Sequence, residues 1–193
     1  KRTMWKMLYF WKKERNKPAM KKALALGAIL LTGSFYLSCE KDDICADGTQ
    51  TTPSLVLEFY NKDNATTLRN VDNLMLIAED EEDTLRINGA LYATVNKVTL
   101  PLRTNQDVTA YRLIYNSQNE ALKNTDIITF NYERKETYVS RACGYKTTFT
   151  LTPPSPVTDM LTAGDDGTKW TNSISVENTA IENENVTHVK IYF

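Results

Sequence analysis

The stretch Ile127-Ile128-Thr129-Phe130-Asn131-Tyr132-Glu133-Arg134 decides the fold class. Ile128, Phe130 and Tyr132 fall on one side, and Thr129, Asn131 and Glu133 on the other. That is the period of a half-buried β-strand. Ile, Thr, Phe and Tyr are also the residue types that a pleated surface favours.

The same period recurs in both directions. Upstream, Ser54 to Tyr60 puts Leu55, Leu57 and Phe59 on one face, and Asn61-Lys62-Asp63-Asn64 then reads as a turn. Val71 to Ala78, Leu91 to Leu100 before Pro101, and Thr109 to Tyr115 read as further strands. Downstream, Thr137 to Arg141 and Tyr145 to Leu151 flank Cys143-Gly144, and Ile174 to Glu177 and Val186 to Phe193 follow. In the last of these, Val189, Ile191 and Phe193 point one way. His188, Lys190 and Tyr192 point the other, which predicts a surface position for His188.

No helical stripe appears after Cys39. Short strands at this spacing predict an all-β fold, a single β-sandwich with immunoglobulin-like or Greek-key connections. A small barrel is the alternative. The run Thr152-Pro153-Pro154-Ser155-Pro156 cannot be a central strand, because proline has no N–H for the ladder. With Gly164-Asp165-Asp166-Gly167 it brackets a predicted loop over roughly residues 152–170. There is no internal repeat and no sign of a second domain.

Charge divides the chain. Of 23 Lys/Arg and 24 Asp/Glu, nine and one fall in residues 1–38, so that segment carries +8. From Cys39 onward 14 basic residues face 23 acidic ones, a net of -9. A domain this acidic is a poor match for nucleic acid, whose binding rests on neutralising phosphates.

The basic segment reads as a leader. From Met20, Lys21-Lys22 form a short positive region, Ala23 to Leu31 form an apolar core, and small and polar residues follow. Residues 20–38 are therefore expected to be a signal peptide, and residues 1–19 an upstream extension. The apolar run falls short of the roughly 20 residues that a membrane span needs. Tyr36-Leu37-Ser38-Cys39 looks like a lipobox, with a small residue before the cysteine, although Tyr36 departs from the usual pattern. Cys39 is then the lipidation site: its thiol takes a diacylglycerol as a thioether, and its new amino group can take a third chain. Glu40-Lys41-Asp42-Asp43 follows at once. Lys41, Asp42 and Asp43 resemble the Lys-acid-acid export signal that sends lipoproteins of Bacteroidota to the outer face of the outer membrane. Residues 39–44 would form a lipidated acidic tether, and residues 45–193 the folded domain.

Two cysteines remain, Cys45 and Cys143. An even remainder in an exported chain reads as a disulfide. The alternatives are a catalytic Cys143–His188 pair, for which no orienting group is identified, and a metal site, for which the ligands are too few. Cys45 lies six residues after Cys39. At no more than about 3.6 Å per residue, the first crosslinked point would lie within roughly 20 Å of the lipid.

Other candidates have plainer explanations. Glu79-Asp80-Glu81-Glu82-Asp83 lacks the alternation and turn glycine of a calcium loop and reads as a solvated hairpin tip. Asp165-Asp166 reads as a turn. Trp170 and the tyrosines could form a sugar-binding platform, but core and sheet packing is the simpler account. There is no G-x-S-x-G, phosphate-binding glycine loop or H-E-x-x-H. No cofactor or metal is expected, and no catalytic residue is assigned.

Three stretches together carry a resemblance: Cys39 to Cys45, Leu100-Pro101-Leu102-Arg103-Thr104-Asn105-Gln106-Asp107, and Val139-Ser140-Arg141-Ala142-Cys143-Gly144-Tyr145. The chain resembles a family of small predicted lipoproteins of Bacteroidota, of unknown function, over about residues 39–193. The resemblance implies export and lipidation and brings no activity; such lipoproteins are commonly companions of outer-membrane barrels. The expectation is an outer-membrane-anchored, surface-exposed accessory or binding module, held by its N-terminal lipid, with an outer-membrane barrel as a candidate partner. A small glycan-processing or other hydrolytic enzyme is the alternative.

Overall fold

Alternating strands bury one face each, so they fold by stacking those faces as two sheets. The computed structural model describes residues 44–49, 51–79, 84–164 and 166–193. The expected extension 1–19, the expected signal peptide 20–38 and Cys39, Lys41, Asp42 and Asp43 of the expected tether lie outside those residues, as do Asp80 to Asp83. In chain order the strands are β1 (Leu55–Asn61), β2 (Asn64–Leu68), β3 (Val71–Ala78), β4 (Thr84–Leu85), β5 (Ala93–Val95), β6 (Lys97–Leu100) and β7 (Val108–Tyr115). Then come β8 (Asn124–Ser140), β9 (Gly144–Leu151), β10 (Leu161–Ala163), β11 (Ser173–Val176), β12 (Ala180–Ile181) and β13 (Val189–Tyr192).

From Cys45 to Phe193 these strands form one unit. The smaller sheet runs β11-β13-β1-β2, with β6 also beside β1. The larger runs β12-β9-β8-β7-β3-β4, with β10 beside β8 and β5 beside β3. The expected β-sandwich is the observed fold. β1 and β13 pair in parallel, so the start and end of the domain share one ladder, while the other pairs are antiparallel. The core holds Leu55, Leu57 and Phe59 of β1 and Val189 and Ile191 of β13 against Tyr111 and Leu113 of β7 and Ile128, Phe130 and Tyr132 of β8. Each such side chain contributes roughly 1.5–3 kcal/mol through burial.

The structure differs from the period-two reading in four places. The two strands expected at 127–134 and 137–141 are one strand, β8, of 17 residues. Lys135-Glu136 carries charge but no turn residue, so nothing breaks the extended backbone. The expected strand 91–100 splits at Asn96: β5 joins the larger sheet and β6 the smaller. The Asn96 carbonyl accepts the Phe59 N–H at 2.9 Å, which secures the crossing. In β3 a bulge with Asn73 at φ 45° lets Val71 and Leu74 both face the core. The expected loop 152–170 contains a 3-10 turn (Val157–Met160) and β10, because Met160 and Leu161 reach the core and anchor it.

His188 corrects the sequence reading most clearly. It is fully buried, not on the surface. Its Nδ1 accepts the Val56 N–H at 2.9 Å, and its own N–H donates to the Val56 carbonyl at 3.0 Å. The imidazole thereby extends the β1–β13 ladder by a side-chain rung. Nδ1 accepts, so the ring is neutral with its proton on Nε2. Burial holds its pKa below the ordinary 6.5, against an opposing pull from Glu184. The sign follows: the unfolded chain takes up a proton at a higher pH than the native state, so stability is full above 6.5 and falls as pH drops below it. Urea midpoints measured at about pH 7.5 and about pH 5.5 should fall further for the wild type than for His188→Asn, whose amide oxygen can accept the same bond without titrating. Equal falls would show that His188 does not supply the acid sensitivity.

Candidate functional site

β8 continues past its ladder with β7, which ends at Asn131, and pairs on with β9 as a long hairpin. This half of the strand is exposed from Glu133 to Tyr138, although Phe149 and Thr147, opposite Arg134 and Glu136, are buried. It is held by β9, paired from Tyr132↔Leu151 to Ser140↔Gly144. Arg141-Ala142-Cys143 closes the turn; Ser140 Oγ accepts the Cys143 N–H at 3.0 Å, and Gly144 supplies the positive φ of 69°. Across the strands Tyr138 and Tyr145 meet edge to face, with ring centroids 5.4 Å apart.

The chain before β1 is fastened to this hairpin. Cys45 and Cys143 are disulfide-bonded with Cα atoms 4.9 Å apart, inside the range such a bond requires. The Thr147 N–H donates to Thr52 Oγ1 at 3.0 Å, so the incoming segment is held beside β9 as well. The bond excludes Cys143 as a free nucleophile.

The hairpin base is braced by the 101–107 segment. Tyr111 Oη donates to the Pro101 carbonyl at 2.5 Å, and Tyr132 Oη donates to the Arg103 carbonyl at 3.0 Å. Thr109 Oγ1 lies 2.6 Å from Tyr132 Oη and accepts the Arg103 N–H at 3.1 Å. Arg134 bridges to Asp107 at 2.6 Å and to the Thr104 carbonyl. The segment singled out in the sequence is thus a fitted brace. Sequence reading could not assign its role, since its partners lie up to 30 residues away.

The outer face of the larger sheet carries a groove of ≈ 520 Å³. Met75 and Ile77 of β3 and Ile114 of β7 line it, with Arg112, Ser117, Glu120, Lys123, Thr125 and Asp166 around them. This volume is in the range of small-ligand sites. Arg112 Nε lies 3.1 Å from Glu79 Oε2. Glu79 is the one described carboxylate of the acidic run beyond β3, and β4 pairs back on β3 as a hairpin. Asp166 accepts the Thr125 N–H and the Thr168 N–H, each at 3.0 Å, and these bonds lower its pKa. It closes a turn, as expected. A signal for the groove was present in the sequence: Leu113-Ile114, Ile127-Ile128 and Leu74 to Ile77 each break alternation with apolar residues on both faces. Met75 pairs with Ile114, and Arg112 with Ile127, so these outer-face positions come into adjacent register.

Behind this end of the sheet lies a buried carboxylate. Asp126 Oδ2 accepts the Thr171 N–H at 2.9 Å and also the Thr171 hydroxyl. Burial raises its pKa, against the lowering effect of those bonds. The contact positions Trp170, whose Nε1 donates to the Leu113 carbonyl at 3.1 Å and whose ring stacks on Tyr115 at 5.5 Å. Trp170 is therefore packed against the core and is not an exposed sugar platform. Asp126→Ala should cost about 2–3 kcal/mol in urea unfolding, because two buried donors lose their acceptor. A loss below about 0.5 kcal/mol would show that the 166–171 loop does not depend on it.

Among the described residues no three His, Cys, Asp or Glu side chains are placed to hold a metal ion. A family model, "Family of unknown function (DUF6452)", matches residues 73–193. The chain belongs to that family. The DUF6452 match begins within β3 and includes Cys143, the 101–107 brace, the hairpin and most of the groove; Cys45 and β1 precede it. No curated protein and no solved structure matches the chain.

Proposed function

We propose that this chain is an exported lipoprotein of Bacteroidota, anchored to the outer membrane through acylated Cys39 and exposed at the cell surface. There it acts as a non-enzymatic accessory or binding module. The observation that carries the reading is the Cys45–Cys143 disulfide. Such bonds persist in oxidising compartments, and this one fastens the domain to a residue six positions after the lipidation site. The leader over residues 20–38 and the Lys41-Asp42-Asp43 signal supply the route. Binding would use the groove on the larger sheet, with its apolar floor and charged rim, and an outer-membrane barrel is the class of partner that the location favours.

Orientation within the membrane is set by the tether. Replacing Lys41, Asp42 and Asp43 together by alanine should leave lipidation intact and strand the protein on the periplasmic face. Protease shaving of whole cells reads this out. At least a roughly tenfold loss of cleavage in the variant is expected for a determinant that works as an address. Equal cleavage of variant and wild type would remove the export role from these residues.

A further inference from the structure

We infer that the end of the β8–β9 hairpin is the membrane-facing pole of the domain and that Tyr138 and Tyr145 seat it in the lipid headgroup layer. The inference rests on the lipoprotein reading and adds the orientation and the contact residues. Tyr138 and Tyr145 are 57% and 68% exposed even though their rings pack on each other, so the pair leaves a large aromatic surface uncovered. They lie on the strand face that is core further along β8 and β9, where Tyr132 pairs with Leu151 and is buried. Tyrosine is the residue type that stabilises itself at a headgroup boundary, with its ring in the apolar margin and its hydroxyl in water.

Geometry points the same way. Cys45 is bonded to Cys143 in the hairpin turn, so the anchored segment leaves the domain beside these two tyrosines. Six residues can reach no more than about 20 Å, which keeps the hairpin end near the bilayer. β8, at about 3.3 Å per residue, separates the Asn124 end from this turn by roughly 50 Å. The groove beside Thr125 would face away from the membrane, where a partner can reach it.

The test uses the full chain, expressed in its host class and reconstituted on vesicles of roughly three parts phosphatidylethanolamine to one part phosphatidylglycerol. Hydroxyl-radical footprinting with mass spectrometry reads tyrosine oxidation for the full chain on vesicles and for Cys39→Ala in detergent-free solution. Tyr138 and Tyr145 should lose oxidation by about threefold or more on vesicles, as expected for rings in a headgroup layer. Tyr92, 41% exposed and outside the hairpin, should not change. The same spectra report whether Cys39 is acylated. Acylated Cys39 with unchanged Tyr138 and Tyr145 oxidation overturns the inference and leaves the lipoprotein reading standing. Bare Cys39 overturns the lipoprotein reading. In that case the free thiol is coupled to a maleimide lipid on the same vesicles and the footprint is repeated, where unchanged oxidation again overturns the inference. Protection in native membranes but not on pure lipid vesicles assigns the surface to a protein and also overturns it.

Discussion

Removing the disulfide with Cys45→Ala and Cys143→Ala together should cost about 4–5 kcal/mol of stability, the value of a closed loop of roughly a hundred residues in the chain-entropy model. The sequence separation is 98 residues, spanning β1 to β8, so the crosslink restricts nearly the first two thirds of the domain in its unfolded state. It also acts locally. The segment from Cys45 to Thr52 is joined to β9 by the Thr147 N–H, and Glu133 to Tyr138 of the hairpin are exposed. Without the bond both should fray. Urea denaturation of the oxidised wild type against the double variant gives the global loss. Hydrogen exchange over residues 137–147 gives the local one. A global loss under about 1 kcal/mol would show that native contacts alone fix the segment.

Cys39→Ala should abolish membrane association. A single myristoyl chain binds only reversibly, at about 10⁴ M⁻¹, whereas two or three chains at about 0.8 kcal/mol per buried CH₂ hold effectively permanently. Nothing else replaces that free energy: two tyrosines at the hairpin end orient an anchored domain but do not anchor it. The membrane-bound share should fall from nearly all of the protein to under about a tenth. Retention of the variant in the membrane fraction after a carbonate wash would mean that another element does the anchoring.

The sheets were legible in the sequence wherever a strand has one wet and one dry face. Ile128, Phe130 and Tyr132 lie in the core as their alternation requires, and so do Leu55, Leu57 and Phe59. Alternation misled at His188, which has the position of a solvent-facing residue in the pattern but is fully buried, with its Nδ1 on the Val56 N–H. No local pattern encodes a neighbour 132 residues away. The single 17-residue β8 was hidden for the opposite reason. Its outer half is exposed on both faces, so its composition resembles that of a loop. The disulfide was legible by count, because only two cysteines remained after Cys39. The groove was not recognised, although its apolar pairs were visible, because its floor depends on the register between β3, β7 and β8.

The central claim is that Cys39 is the acylated first residue of an exported domain. Mass spectrometry of the amino-terminal peptide from the membrane-extracted protein tests it most directly. The account predicts a peptide beginning at Cys39 and carrying the mass of a diacylglyceryl group, with or without a third acyl chain. An unmodified amino terminus at any other residue, or an intact Met20 to Ser38 segment on the mature protein, would contradict it.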